Sequence, residues 1–336
     1  MMALIAPALS AGSRSSSPGR VGRKRAVRGA SEFEGVGGAS GHERWEYTVT
    51  GKRVPKTVRG VQADGRLRLY GREEVWTHLA FNKYVKTGYR MALTPAQCLR
   101  SVLQIHNETG NIWSHFSVIF FFIFRTLSGG HWAGAPVFYY AAVIPCSLCL
   151  LCSSIYHTFM PLPYGVLFYR RLLLVDYMSV FNTMLWPQMY AIHYSLMCFP
   201  EMRRTALQAY YSIAFPCALS AIYADTNKKR LIPFGVLSFM RLVVLGMRIY
   251  LRQGSAEGTL LYIAVEVTGI TGGLLNAARA PECFFPGYFD IWFNSHQVRS
   301  AVLCLKAAAS VASLIIGCVS VVASCFWRPF VCPCPT

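Results

Sequence analysis

His106-Asn107-Glu108-Thr109-Gly110-Asn111-Ile112-Trp113-Ser114-His115 runs straight into Phe116-Ser117-Val118-Ile119-Phe120-Phe121-Phe122-Ile123-Phe124. That junction divides the chain. Before it the sequence is basic, rich in Gly and Ser and compatible with water; after it nearly everything is apolar and arrives in membrane-length runs. Of 336 residues, 54% are hydrophobic and 14% charged, whereas a soluble domain carries about a quarter charged residues. An integral membrane protein is the class this composition favours.

Seven apolar runs follow the junction, at 112–128, 136–157, 168–191, 205–224, 232–251, 258–277 and 299–326. Each is near the ~20 residues that a bilayer core demands. Backbone groups in hydrocarbon must be satisfied internally, so each is expected as a helix, and the short breaks make sequential neighbours antiparallel. Lys and Arg set the orientation. Residues 1–100 hold 18 of the 33 Lys and Arg against 7 acids, and Arg170-Arg171 and Lys228-Lys229-Arg230 follow the second and fourth runs. Arg203-Arg204 after the third run dissents. The amino terminus is therefore expected in the cytosol and the carboxyl terminus outside, opposite to a G-protein-coupled receptor. With that orientation the Asn107-Glu108-Thr109 sequon never meets the glycosylation machinery.

The expected organisation is all-α. A disordered basic extension spans 1–41, a cytosolic juxtamembrane segment 42–105, the seven-span bundle 106–327 and a short extracytosolic tail 328–336. The apolar patch at 2–11 lacks a basic leader, which argues against a cleaved secretory signal. Residues 73–84 read as a short amphipathic helix. It either lies on the inner membrane face with Val75, Leu79 and Trp76 toward lipid, or packs beneath the bundle. The basic arm is assigned to anionic lipid headgroups, not to nucleic acid. The cysteines fall mostly inside apolar runs and are expected as small hydrophobes. Cys146, Cys149 and Cys152 would be spread around a helix and have no partner set for a metal.

In this topology four polar residues share one shallow layer. His157 closes the second span, Ser153 lies one turn from it on the same face, Asp176 is two turns into the third, and His296 precedes the seventh. Intramembrane ionisable groups usually face the bundle interior and pair or bind something. Two imidazoles completed by a carboxylate or water suit zinc. Helix-end histidines with an Asp bonded between helices are the alternative, and composition alone leans that way. Deeper in, Arg241 and Glu266 both sit about 15 Å from the inner face at 1.5 Å per residue, and they are expected to pair. Arg248 extends that polar stripe.

The motifs resemble a known family. Asn107-Glu108-x-x-Asn111-Ile112-Trp113-Ser114-His115, Thr87-Gly88-Tyr89-Arg90, Ser153-x-x-x-His157, Asp176, Pro281-Glu282, Phe285-Pro286-Gly287 and Asn294-Ser295-His296-Gln297 are similar, in order, to those of the progestin and adipoQ (adiponectin receptor-like) receptors. The match covers about 79–298. The resemblance implies a seven-helix bundle with a cytosolic amino terminus. In zinc-binding members the second span supplies one His and the seventh supplies two, four residues apart, while the third-span Asp holds a water. Such sites are similar to those of alkaline ceramidases, which implies zinc-dependent hydrolysis of a lipid amide, ceramide or a related sphingolipid. Carried over, His157 and His296 are the metal ligands, Asp176 the water-holder or base and Ser153 an oxyanion donor.

One position departs from that pattern. Ser300 stands where the second His of the seventh span belongs, Arg299 and Lys306 enter an expected apolar turn, and beyond Gln297 the resemblance fades. Two histidines and an Asp still suit zinc, more weakly; His115 is read as a satisfied structural imidazole, with a substitute ligand as the alternative. Two functions follow: a receptor-like protein with zinc-dependent lipid amide hydrolysis and signalling, or a metal-free lipid-sensing receptor or scaffold. Golgi, endoplasmic reticulum and plasma membrane are the expected locations.

Overall fold

The computed structural model describes residues 45–55, 60–128, 136–224 and 227–302. The basic extension 1–41, the tail 328–336, Lys306 and most of the seventh run lie outside them. The described chain is mainly helical, built from α1 (Pro95–Ser101), α2 (Thr109–Leu127), α3 (Pro136–Phe159), α4 (Val166–Ser195), α5 (Pro200–Tyr223), α6 (Asn227–Tyr250) and α7 (Ala256–Ala278). A further helical run occupies 295–302. Helices α2 to α7 fall on the first six apolar runs. Among the described residues three stretches are long and apolar enough to cross a membrane, namely Ala142–Phe159, Ile232–Tyr250 and Ala256–Ala278.

Local chemistry explains the helix ends. Thr94 caps α1 in a reciprocal box with Gln97, and Pro95 supplies a first-turn residue with no amide to satisfy. The Ser255 hydroxyl accepts from the Gly258 amide at the start of α7. Neighbouring helices pack in sequence, α2 on α3, α3 on α4, α4 on α5 and α6, and α6 on α7. Phe181, Leu237, Tyr210 and Tyr262 are buried in the α4–α7 core, and Phe122, Ala142 and Cys146 in the α2–α3 core. Outward-facing Phe120, Phe124 and Leu127 leave an apolar surface on α2, which fits a hydrocarbon surround.

The segment before α2 departs from the all-α expectation. Trp45–Tyr47 (β1) and Arg53–Pro55 (β2) form a two-stranded antiparallel hairpin. Residues 73–84 form turns and no helix. Backbone pairing between segments of the chain replaces helical bonding there: Arg72 N donates to Lys86 O, Thr77 N to Tyr47 O, and Tyr70 exchanges both backbone bonds with Tyr89. Val75, Trp76 and Leu79 are turned toward neither lipid nor water. They are at most 1% exposed and pack with Tyr156, Met160 and Tyr169 at the adjoining ends of α3 and α4. Here the arm is part of the core.

Candidate functional site

The arm is bonded to the segment after α7 through acids buried in a chain that has few of them. Glu282 accepts from Asn82 Nδ2 at 2.9 Å, from the Ser295 amide at 2.7 Å and from the Ser295 hydroxyl. Asp290 accepts from the Lys86 and Thr87 amides, each at 2.8 Å, and from the Thr87 hydroxyl at 2.7 Å. Gln297 donates to Asn107 O at 3.1 Å and passes so close to Gly110 that a Cβ there would meet its side chain at 2.7 Å. Glycine at 110 is therefore a packing requirement. At Gly88 the backbone is left-handed, with φ +84°, and its carbonyl accepts from the Asn107 amide.

This network positions His157. Arg90, 3% exposed, donates to His157 O and to the Ser101 hydroxyl, both at 2.6 Å, and so ties the last turn of α3 to α1. Burial lowers Arg90 to about 10, with Glu108 opposing the shift, so the guanidinium stays charged at neutral pH. His106 is fully buried. The Glu108 amide donates to its Nδ1 at 3.1 Å, so the proton sits on Nε2, which donates to Ser101 O at 3.2 Å. Burial and the charge of Arg90 push His106 down to about 2.

Glu108, at the amino end of α2, accepts from Asn111 Nδ2 at 2.6 Å and from His157 Nδ1 at 2.8 Å. Burial raises its carboxyl, yet the bond from His157, the neighbouring imidazoles and Asn111 together hold it below the ordinary value. With Nδ1 protonated toward Glu108, the His157 Nε2 lone pair points away, and it meets His296 Nε2 at 3.4 Å. Carboxylate-backed histidines of this kind are the usual supports of metal sites.

The four sequence-predicted residues lie in neighbouring positions, with His157 an electrostatic neighbour of Asp176. His157 and His296 face each other across helices. Ser153 and Asp176 also line a cavity of about 220 Å³ whose walls combine apolar Leu150, Phe234 and Ile270 with charged Arg241, Glu266 and Arg299. Ser153 is the hydroxyl neighbour of the Asp176 carboxyl and also bonds His115 Nε2 at 3.1 Å. His115 is thereby a satisfied, buried imidazole. Asp176 Oδ1 is buried without a hydrogen-bond partner among the described residues. Ser300, in the place of the expected third imidazole, bonds Asn111 Oδ1 at 3.4 Å. Among the described residues no group of three or more His, Cys, Asp or Glu side chains gathers to hold a metal. Cys146, Cys149 and Cys152 are free thiols.

The expected ion pair is present. Arg241 Nε donates to Glu266 Oε1 at 2.8 Å, Nη2 donates to the same oxygen, and both side chains are nearly fully buried. Arg248 bonds Thr259 Oγ1 at 3.0 Å and completes the stripe on α6. Sequence reasoning assigned no role to Glu108, Asn82 or Asp290. The available signal was rarity: 15 acids in 336 residues make each one set among apolar neighbours worth a partner.

Residues 103–308 match the family model described as Haemolysin-III related. Progestin and adipoQ receptor family member 4 of Mus musculus is 35% identical over 225 residues, 66% of this chain and 82% of the relative. This chain belongs to the progestin and adipoQ receptor family. The Homo sapiens member 4 matches to the same extent, and the Caenorhabditis elegans progestin and adipoQ receptor-like protein 1 is 26% identical over 266 residues, 73% of this chain and 59% of the relative. As a progestin and adipoQ receptor family member it is a membrane protein.

Proposed function

We propose that this family member is a receptor-like protein with seven spans and a cytosolic amino terminus, which draws a lipid chain into its cavity and cleaves a lipid amide with zinc. Ceramide or a related sphingolipid is the proposed substrate. The carrying observation is the separation of His157 Nε2 and His296 Nε2, 3.4 Å, with Glu108 behind the first ring. Two nitrogens each ~2.0–2.1 Å from a tetrahedral zinc stand about 3.3 Å apart. The fit is therefore good for two ligands and short of a third. Bound there, zinc supplies an acidified water and a polarised amide carbonyl.

This chain's own residues do the rest. Glu108 holds the His157 ring in the tautomer that leaves Nε2 free, and Arg90 fixes the backbone beneath it. Asp176, an electrostatic neighbour of His157, is the proposed base that takes the proton of an attacking water. The Ser153 hydroxyl serves as donor to the oxygen that gains charge. The cavity is smaller than the ~300–1,000 Å³ of drug-sized ligand sites, and its largely apolar walls suit a single acyl chain.

A second reading is a metal-free lipid sensor. The Ser300–Asn111 bond favours it, because a hydroxyl engaged with the amide cannot complete a metal site. Zinc content of the purified, detergent-solubilised protein separates the two, with His157→Ala and Ser300→His measured beside wild type. About one zinc per chain, lost in His157→Ala, supports hydrolysis. An empty wild type that fills in Ser300→His transfers the conclusion to the sensor.

A further inference from the structure

The segment between α7 and the helical run at 295–302 includes Phe284-Phe285-Pro286-Gly287-Tyr288-Phe289-Asp290-Ile291-Trp292-Phe293. Six of these ten residues are aromatic. Phe284, Phe285, Tyr288, Trp292 and Phe293 are all exposed, none by less than 46%. The Phe285 ring centre lies 6.4 Å from that of Tyr288 and 6.5 Å from that of Phe289, which joins part of this surface into one patch. Single exposed aromatics are ordinary, whereas a contiguous apolar patch marks an interaction surface.

Buried bonds hold the rings outward. Glu282 and Asp290 fasten the segment to the arm, and the Gly287 amide donates to Tyr84 O at 3.1 Å. The Gln297 side chain closes the end: its Nε2 donates to Ile291 O and its Oε1 accepts from the Phe293 amide, both at 2.7 Å. That clamp keeps Phe293 at φ +62°, a left-handed conformation that a bulky residue rarely adopts. Such strain persists only where surrounding bonds over-determine it. Here they maintain an exposed apolar ring.

Charge is sorted to match. The acids of this segment, Glu282 and Asp290, are both buried and bonded inward. On the adjoining arm Lys83 and Lys86 are exposed. The Lys83 ammonium lies 4.9 Å from the Tyr84 ring centre, and Lys86 Cγ stands 3.8 Å from where a Gly287 Cβ would be. Outward-facing Val267 and Leu274 on α7 lead toward the segment. Aromatic rings continuous with an apolar helix face and flanked by lysines fit the boundary of a bilayer with anionic headgroups. A protein partner would account for the rings but not for that continuity.

We propose that residues 284–293 form an interfacial anchor, which seats its rings at the acyl–headgroup boundary and, through Lys83 and Lys86, gathers anionic lipid next to the segment carrying His296. That the leaflet is the cytosolic one rests on the topology proposed above; the anchoring does not, nor does it rest on zinc.

The test places a fluorescent amino acid at Tyr288, and separately at Phe284, in the full-length protein in nanodiscs. The discs carry brominated phosphatidylcholine or brominated phosphatidylserine at the same mole fraction, and iodide is the aqueous quencher. Bromines close to the headgroup are expected to quench the label, and iodide to leave it nearly untouched. Brominated phosphatidylserine should quench more than brominated phosphatidylcholine, with local enrichment of up to about fivefold per lysine. Lys83→Gln with Lys86→Gln should remove that excess and keep the quenching by the neutral lipid. Melting points beside wild type check that each labelled protein is folded. Labels quenched by iodide and not by bromine overturn the anchor and make this a docking surface for a protein. Equal quenching by the two brominated lipids, or an excess that survives in the lysine variant, overturns the anionic selection. Both faces of a disc carry the same lipid, so these outcomes are independent of the topology, which the glycosylation state of Asn107 tests separately.

Discussion

Replacing Glu266 by Gln leaves the Arg241 guanidinium charged and unpaired between α6 and α7, where its side chain is 6% exposed and that of its partner 2%. Breaking a buried ion pair from one side costs roughly 3–5 kcal/mol, because the remaining charge keeps its desolvation penalty and loses its counterion. At about 2–4 °C per kcal/mol for a domain of this size, the melting point should fall by roughly 10 °C. Glu266→Gln combined with Arg241→Met removes both charges and should recover most of that loss, since well-packed neutral replacements of a buried pair are often no worse than the pair itself. The Tyr262 hydroxyl gives little interference, because it bonds Arg241 through the backbone carbonyl, at 3.1 Å. The assay is size-exclusion of the detergent-solubilised protein after stepped heating, with Arg241→Met as the second single variant. A double variant that melts as low as, or lower than, Glu266→Gln would refute the coupling.

Three further outcomes follow from the polar network. His106 is held near 2 by burial and by Arg90, against about 6.5 in an unfolded chain. The unfolded state alone takes up the proton, so this contribution is complete above about pH 6.5 and declines by about 1.4 kcal/mol per unit as pH falls below it. His106→Gln should flatten the fall in melting point between pH 6.5 and 5; an unchanged slope refutes the assignment. Glu282→Ala strips the acceptor from Asn82 and from the Ser295 amide, costs roughly 1.5–3 kcal/mol and should speed limited proteolysis within 45–105, whereas wild-type cleavage rates would show that the arm is held elsewhere. Asn107 is 6% exposed and its backbone is engaged by Gly88 and Gln297. Glycosidase treatment should leave the protein's mobility unchanged, and a shift of one glycan would remove both the buried placement and the cytosolic assignment.

The sequence alone determined the positions of the six long helices, the burial of a basic segment against a membrane-class bundle excepted. Length and apolar content are local properties, so α2 to α7 were legible from hydropathy. Depth along a helix is local too, since each residue advances a fixed rise, and this brought Arg241 level with Glu266 before any contact was known. The Ser153 and His157 shared face came from helical rotation in the same way.

Tertiary structure decided the rest. Residues 73–84 have helical periodicity, but the Tyr70–Tyr89 and Arg72–Lys86 backbone pairings hold them as turns, and the apolar face that suggested a lipid contact is covered by α3 and α4. Hydrophobicity says that a face will be covered, not by what. Rotation of one helix against its neighbour is set by packing and by bonds between distant residues, which no local period encodes. That rotation puts Ser153 and Asp176 on the cavity and turns His157 and His296 to each other. It also sets Glu108 behind His157.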